Sequence, residues 1–447
     1  MDNPVILGLV VAAVAGLGVA IWRLSQRATS NGPGDVIRPD QHRVPSEDHD
    51  RPESGPDPET SVTVARTTER PPGVRMGVTQ NADEVPKSGG DQVYTEDDLT
   101  RALDELRDRT HFWNNVEPDF NPLSASKDAL IERGLQPLPD ETDPLQGQRL
   151  AFWKKFYSPH LQWMQASYLP LVPGQYLQTA QFRVVSAASL HESSRNWSGL
   201  YISPRDGRMI VEVRGEWNVP TVNFPAGAIP AVNERRSSTW IGLDGQGRYF
   251  DSSLPQIGTE QFIDRTLGPI TRTTQVFVDW WYRGATLPLP SVPLLVSPGD
   301  VVLASITVVS TTAVTFYIKN QSTGIALSPW TVTAPWSPMP TGPSPTQVRV
   351  SGATAEWVME RPTKTTDDFW ELPSFNTINF VDCGASSALA PGGSLQDETL
   401  YGARRIKAKR LQSIPPLLRT LVTSEPNSII WPPREQQPHS FDVDFVP

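Results

Sequence analysis

From about residue 193 to its end, this chain is a succession of short runs in which apolar and polar residues alternate. That pattern restricts it to one class of fold. Val211, Val213, Trp217 and Val219 alternate with Glu212, Arg214, Glu216 and Asn218. The same period recurs at Val301 to Val309, Val314 to Ile318, Val348 to Met359 and Ile378 to Val381. A period of two sends successive side chains to opposite faces of a sheet, so each run reads as a strand with one buried face. Ser297-Pro298-Gly299-Asp300, Ser322-Thr323-Gly324 and Ala390-Pro391-Gly392-Gly393 supply turns between them. Many short strands punctuated in this way predict an all-β sandwich or jelly roll.

The rest of the chain divides by composition. Val5 to Trp22 carries no charge and is followed by Arg23 and Arg27. It is just long enough for a transmembrane helix, and residues 5–22 are assigned as one. Gly8, Ala12, Gly16 and Ala20 recur every fourth residue, a spacing that permits a helix-mediated dimer. No basic residue precedes the apolar run, as one would in a cleaved signal peptide. Residues 28–93 are rich in Pro, Gly, Ser and charge and read as a disordered linker. Residues 95–190 read as a small helical or mixed segment. Thr95 and Asp98 form a capping-box pair ahead of Leu99, Leu103 and Leu106. A second helix is expected around Ser126 to Arg133 with Gly134 as its terminating glycine, and a third near Gln148 to Tyr157. Phe152, Trp153, Phe156 and Trp163 exceed what so small a segment can bury by itself. The segment is therefore expected either to cover the β domain as a prosegment or to pack permanently on its back.

Several chemistries are excluded. The formal net charge is −10 over 447 residues, which argues against nucleic acid as a partner. The basic run Arg404 to Arg410 alternates like a solvated strand face. One cysteine, Cys383, permits no intramolecular disulfide and no cysteine-built zinc site. His191 lies at the edge of the β region and His439 near its end, and there is no Gly-x-Ser-x-Gly, His-Glu-x-x-His or phosphate-binding glycine loop. Histidine-dependent serine or cysteine catalysis is thereby disfavoured, so any hydrolysis falls to carboxylates and amides, and no metal or cofactor is expected. Glu356 is a candidate. It sits in the alternating run Thr354 to Glu360 beside Trp357, with no cation in that strand to lower its pKa.

A larger pattern surrounds it. Asn196-Trp197-Ser198-Gly199 opens the β region, followed by Trp217-Asn218-Val219-Pro220 and by Ser238 to Gly245. Gln256-Ile257-Gly258, Asp279-Trp280-Trp281-Tyr282 and Ser297-Pro298-Gly299-Asp300 come next. Asn320 to Gly324, Ala355 to Glu360 and Phe380-Val381-Asp382-Cys383 complete the order. In this order and spacing, residues 193–447 resemble the glutamic peptidases, the eqolisins. The resemblance implies a two-sheet, concanavalin-like sandwich whose curved face forms a substrate cleft. It also implies a catalytic pair at Gln256 and Glu356. Trp240 and Asp244 match positions that line the cleft, and Trp281 and Tyr282 are candidate aromatic subsites. The chain departs from the family pattern at Ile257, at Thr259-Glu260-Gln261 and at Arg361. Asn196-Trp197-Ser198 and Asn320-Gln321-Ser322 match glycosylation sequons but are read as structural turns.

The expected function is an acid-acting endopeptidase that hydrolyses polypeptides. It is membrane-tethered through its N-terminal helix, with the catalytic domain outside the cytoplasm. The alternative is a catalytically inactive sandwich that binds peptide or carbohydrate.

Overall fold

Local sequence sets the helices of the N-terminal segment. The computed structural model describes residues 95–158, 161–170, 191–226, 232–245, 253–282, 290–337, 346–363, 369–414, 417–426 and 438–446. Helix α1 (Glu96–Asp108) starts at Thr95, whose hydroxyl accepts from the Asp98 amide while Asp98 accepts from the Thr95 amide. Helix α2 (Lys127–Ile131) is capped by Ser126, and Gly134 beyond it takes a φ of 66°. Helix α3 (Gly147–Phe156) buries Phe152, Trp153 and Phe156. Among the described residues no helix is long and apolar enough to cross a membrane. The assigned transmembrane segment 5–22 and linker 28–93 lie outside them.

The alternating runs form two facing layers. The front layer orders β14 (Arg404–Ile414), β3 (Trp197–Ile202), β12 (Ala355–Glu360), β5 (Glu234–Leu243), β6 (Ser253–Asp264) and β7 (Thr271–Tyr282), all antiparallel. The back layer orders β13 (Ile378–Ala388), β4 (Met209–Asn218), β8 (Val301–Ser310), β9 (Ala313–Asn320) and β11 (Trp330–Thr333). Strands β15 (Leu417–Pro426) and β16 (Phe441–Phe445) join β14 to β13, so the layers are continuous along one edge. Odd-numbered residues of β5, β6 and β12 and even-numbered residues of β3 and β7 point inward. Leu200, Ile241, Ile257 and Trp357 meet Val213, Trp217, Ala304 and Phe316 of the back layer in one core. A polar contact also crosses it, Trp217 Nε1 donating to the Thr259 hydroxyl at 3.0 Å.

The run expected over Val348 to Met359 is shorter in the fold. Its strand begins only at Ala355, because residues 351–353 form a turn held by Asp244. Ile406 and Ala408 of the basic run are buried, while Arg404, Arg405 and Lys407 are half-buried. Both sequon asparagines are fully buried, Asn196 donating to Glu360 and Asn320 to the Leu295 carbonyl.

Residues 95–168 pack around the back layer. Strand β1 (Thr110–Phe112) extends it beside β11, and β2 (Gln162–Met164) pairs in parallel with β10 (Ile325–Leu327). Phe152, Trp153, Phe156 and Trp163 cluster with Leu303 and Tyr317 on the outer face of that layer. Buried ions fix α3 there. Asp397 accepts from the first amides of the helix, at Gln148 and Arg149, where its charge also suits the helix dipole. Arg149 Nε donates to Glu212 at 2.7 Å, and Arg214 pairs with Asp397 at 2.7 Å and with Glu212 at 3.6 Å. At the other end Lys319 Nζ donates to the Phe156 carbonyl at 2.9 Å, and burial pushes its pKa down to about 8. Glu212→Ala leaves two buried guanidinium groups short of an anion. It is expected to cost about 3–5 kcal/mol, read from denaturant unfolding at neutral pH. An unchanged midpoint would show that the network carries no net stability.

Candidate active site

The even-numbered residues of β5, β6 and β12 and the odd-numbered residues of β3 and β7 point away from the core. One register row crosses the middle of that face. Tyr201 lies opposite Glu356, Glu356 opposite Gly242, Gly242 opposite Gln256, and Gln256 opposite Asp279. Glu356 and Gln256 are therefore two strand spacings apart, roughly 10 Å between Cα atoms, with a glycine between them. Gly242 has no side chain to fill that interval. A Cβ there would lie 2.6 Å from Leu254 Cδ1 and 3.0 Å from the Trp240 ring.

Both side chains are fully buried. Gln256 Nε2 donates to Asp279 Oδ2 at 3.3 Å, while Gln256 Oε1 and both oxygens of Glu356 lack hydrogen-bond partners. Burial pushes the Glu356 carboxyl well above its ordinary value, and the neighbouring Asp244 charge adds to the effect. The Thr354 hydroxyl and Gly245 amide lie near enough to offset part of this without reaching hydrogen-bonding geometry. A carboxyl and an amide oxygen with nothing to bind, facing one gap, are an arrangement suited to a polar guest.

Aromatic side chains surround the row. Trp197, Trp240, Leu254, Phe277, Trp281 and Val358 form a separate cluster on this face. Trp240 and Trp281 thus join Gln256 and Glu356. Tyr282, one residue on, turns to the opposite face and packs against the inter-layer core. Asp244 is turned to the turn ahead of β12, accepting from the Gly352 and Ala353 amides at 3.1 and 2.7 Å and from the Ser351 amide. Its φ of 63° lies in the left-handed region, held there by these bonds. Asp244 thereby sets where the Glu356 strand begins.

A second row lies four residues along. Glu360 is opposite Ser238, and Ser238 opposite Glu260. Glu360 accepts from Trp240 Nε1 at 2.8 Å and from Asn196 Nδ2 at 3.0 Å, and burial pushes it up to about 7. Glu260 accepts from Gln275 at 2.9 Å, and burial pushes it up to about 8 against the opposing Arg236 charge. Neither residue was among the candidates from sequence. The spacing from Gln256 to Glu260 and from Glu356 to Glu360 held the signal, because i and i+4 share a strand face.

Residues 195–415 match the model of the Peptidase A4 family. Over that stretch the chain is similar to this family. The Peptidase A4 match spans every strand of the front layer and so includes Gln256 and Glu356. A crystal structure of Scytalido-glutamic peptidase with a peptide-based transition state analog aligns at 17% identity, covering 57% of this chain and 99% of that one, with a TM-score of 0.37. SCP-B, an Eqolisin family peptidase in complex with the tripeptide Ala-Ile-His, aligns at 15% identity with the same coverages and a TM-score of 0.36. No curated protein matches the chain.

Proposed function

We propose that the β domain is a glutamic-type endopeptidase in which Gln256 and Glu356 activate water against a peptide carbonyl. The observation that carries this reading is the shared register row, which sets the two side chains on either side of Gly242 with unpartnered oxygens. Ionised Glu356 removes a proton from water as the water oxygen bonds to the carbonyl carbon. The Gln256 amide orients that water and donates to the developing oxyanion. Glu356 then returns the proton to the amide nitrogen as the C–N bond breaks, giving a carboxylic acid and an amine. Trp240 and Trp281 supply apolar walls for substrate side chains. The proposal includes residues 5–22 as a membrane anchor, supported by their uncharged run, with the domain on the extracytoplasmic side.

A raised Glu356 pKa sets the pH dependence. The base form appears only above that pKa, so the rising limb of turnover is expected above pH 4.5, the ordinary carboxyl value, with activity still on the acid side of neutrality. One observation favours a second reading, a peptide-binding module without turnover. Glu356 is fully buried, and its charged form is disfavoured until water enters. Denatured protein incubated with the full chain at pH 4–7 separates the two. Fragments that appear with wild type and fall by about 10²–10³ with Gln256→Ala support the peptidase. Substrate that binds and is never cut supports the module.

Gly242→Ala tests the gap itself. The added Cβ crowds Leu254 and Trp240, at a cost of about 1–3 kcal/mol. By displacing the pair it should also lower turnover about 10²-fold. Thermal melting and initial rates check both, and full activity would show that the interval is not used.

A further inference from the structure

We infer that Asp279 is a positioning residue that sets which end of the Gln256 amide faces Glu356. This rests on the peptidase reading and deepens it. Asp279 closes the row on the side of Gln256 away from Glu356. Gln256 Nε2 donates to Asp279 Oδ2 at 3.3 Å, and Gln256 Oε1 is left without a partner. An amide is planar, so a nitrogen committed to Asp279 turns its oxygen away, to the Gly242 side where Glu356 lies. An ionised carboxylate only accepts hydrogen bonds, so it holds the nitrogen end and rejects the oxygen end. A protonated carboxyl donates as well and loses that discrimination. The orientation matters because the two ends of the amide do different things. Oε1 can accept from a water held by Glu356, whereas the second hydrogen of Nε2 remains for the substrate oxygen.

The surroundings of Asp279 couple this to solvent and to the N-terminal segment. Asp279 is half-buried, unlike Gln256 and Glu356. It lines a cavity with Leu103, Leu106 and Arg109 at the end of α1 and with Tyr168 and Tyr282. Arg109 brings the cation to this cavity, its guanidinium sensing Asp279, Tyr168, Tyr282 and Glu105. On the front face Glu360 feels the Asp279 charge. The group that orients Gln256 is thus the row's contact with water and with the α1 segment.

The test compares the full-length wild type with Asp279→Ala, Asp279→Asn and Asp279→Glu on denatured protein substrate across pH 3–7. Asp279→Ala is expected to lower kcat about tenfold or more, as the loss of one charge-assisted hydrogen bond does, with KM changed less than about twofold. Asp279→Asn, which keeps an acceptor without the charge, should fall between, and Asp279→Glu should recover part of the rate. A second measurement needs no turnover. In selectively ¹⁵N-glutamine-labelled full chain at one fixed pH, the side-chain amide signal that disappears in Gln256→Glu should lie at a different position in Asp279→Asn and Asp279→Ala than in wild type. If wild type cuts nothing, the peptidase reading fails and this signal alone decides the hold of Asp279 on Gln256. Equal kcat in Asp279→Ala, or a Gln256 signal indifferent to Asp279, overturns the inference.

Discussion

Glu356→Gln is expected to remove turnover while leaving the domain folded. Glutamine is nearly the same shape, and Glu356 makes no hydrogen bond whose loss would unbalance the core. A neutral amide also suits this buried position at least as well as a carboxyl whose ionisation burial already disfavours. The variant should therefore melt at or slightly above the wild-type temperature. Its amide cannot accept the water proton, and the described front face offers no other unpartnered carboxyl on the Gln256 row. Removing a general base costs about 10²–10⁴ in rate, and losing the returning acid adds to it. Rates on denatured protein, with melting curves on the same preparations, make the comparison. Wild-type turnover in Glu356→Gln would dispose of the mechanism.

The second large effect is on stability. The folded domain is expected to be most stable on the acid side and to lose stability as pH rises from about 4.5 to 8. Glu360 and Glu260 begin to ionise near 4.5 in the unfolded chain but hold their protons up to about 7 and about 8 when folded. Between those values the folded state binds more protons than the unfolded one, so unfolding becomes easier with each step in pH. Below 4.5 both states are protonated and the contribution is complete, and above 8 it is gone. Each pH unit of displacement is worth about 1.4 kcal/mol, so the two groups together account for several kcal/mol. The exposed carboxyls with lowered pKa, such as Asp98 and Asp140, act in the opposite sense but only below about pH 4. Denaturant midpoints at pH 4.5 and 8 measure the slope. Glu260→Gln and Glu360→Gln should each flatten it, and a midpoint that rises over this interval would contradict the burial of these acids.

These two effects differ in how far they could be read beforehand. Alternation along each run already separated Gln256 from Ile257 and Glu356 from Trp357, so the face of each residue was legible. The helix starts at Thr95 and Ser126 were legible for the same reason, since a cap is a local event between residues three apart. The order of short motifs carried the family. What local pattern could not carry was pairing. Gln256 and Glu356 meet across Gly242 only because β5 lies between β6 and β12.

Period two likewise says that Trp281 and Tyr282 face opposite ways, but not which one reaches the row with Gln256. The register of β7 against β6 decided that in favour of Trp281. Glu212 and Arg214 occupy the polar phase of their strand and yet are buried, because α3 settles on that face and brings Arg149 as a partner. Glu260 and Glu360 have the same cause, with burial rather than sequence setting their protonation. Sequence by itself determined the strands, their faces and the residue types at the site, because these depend on neighbours two to four positions away. Tertiary structure alone decided the register row, the charge state of its acids and the seat of the N-terminal segment, because each depends on contacts between residues tens to hundreds of positions apart.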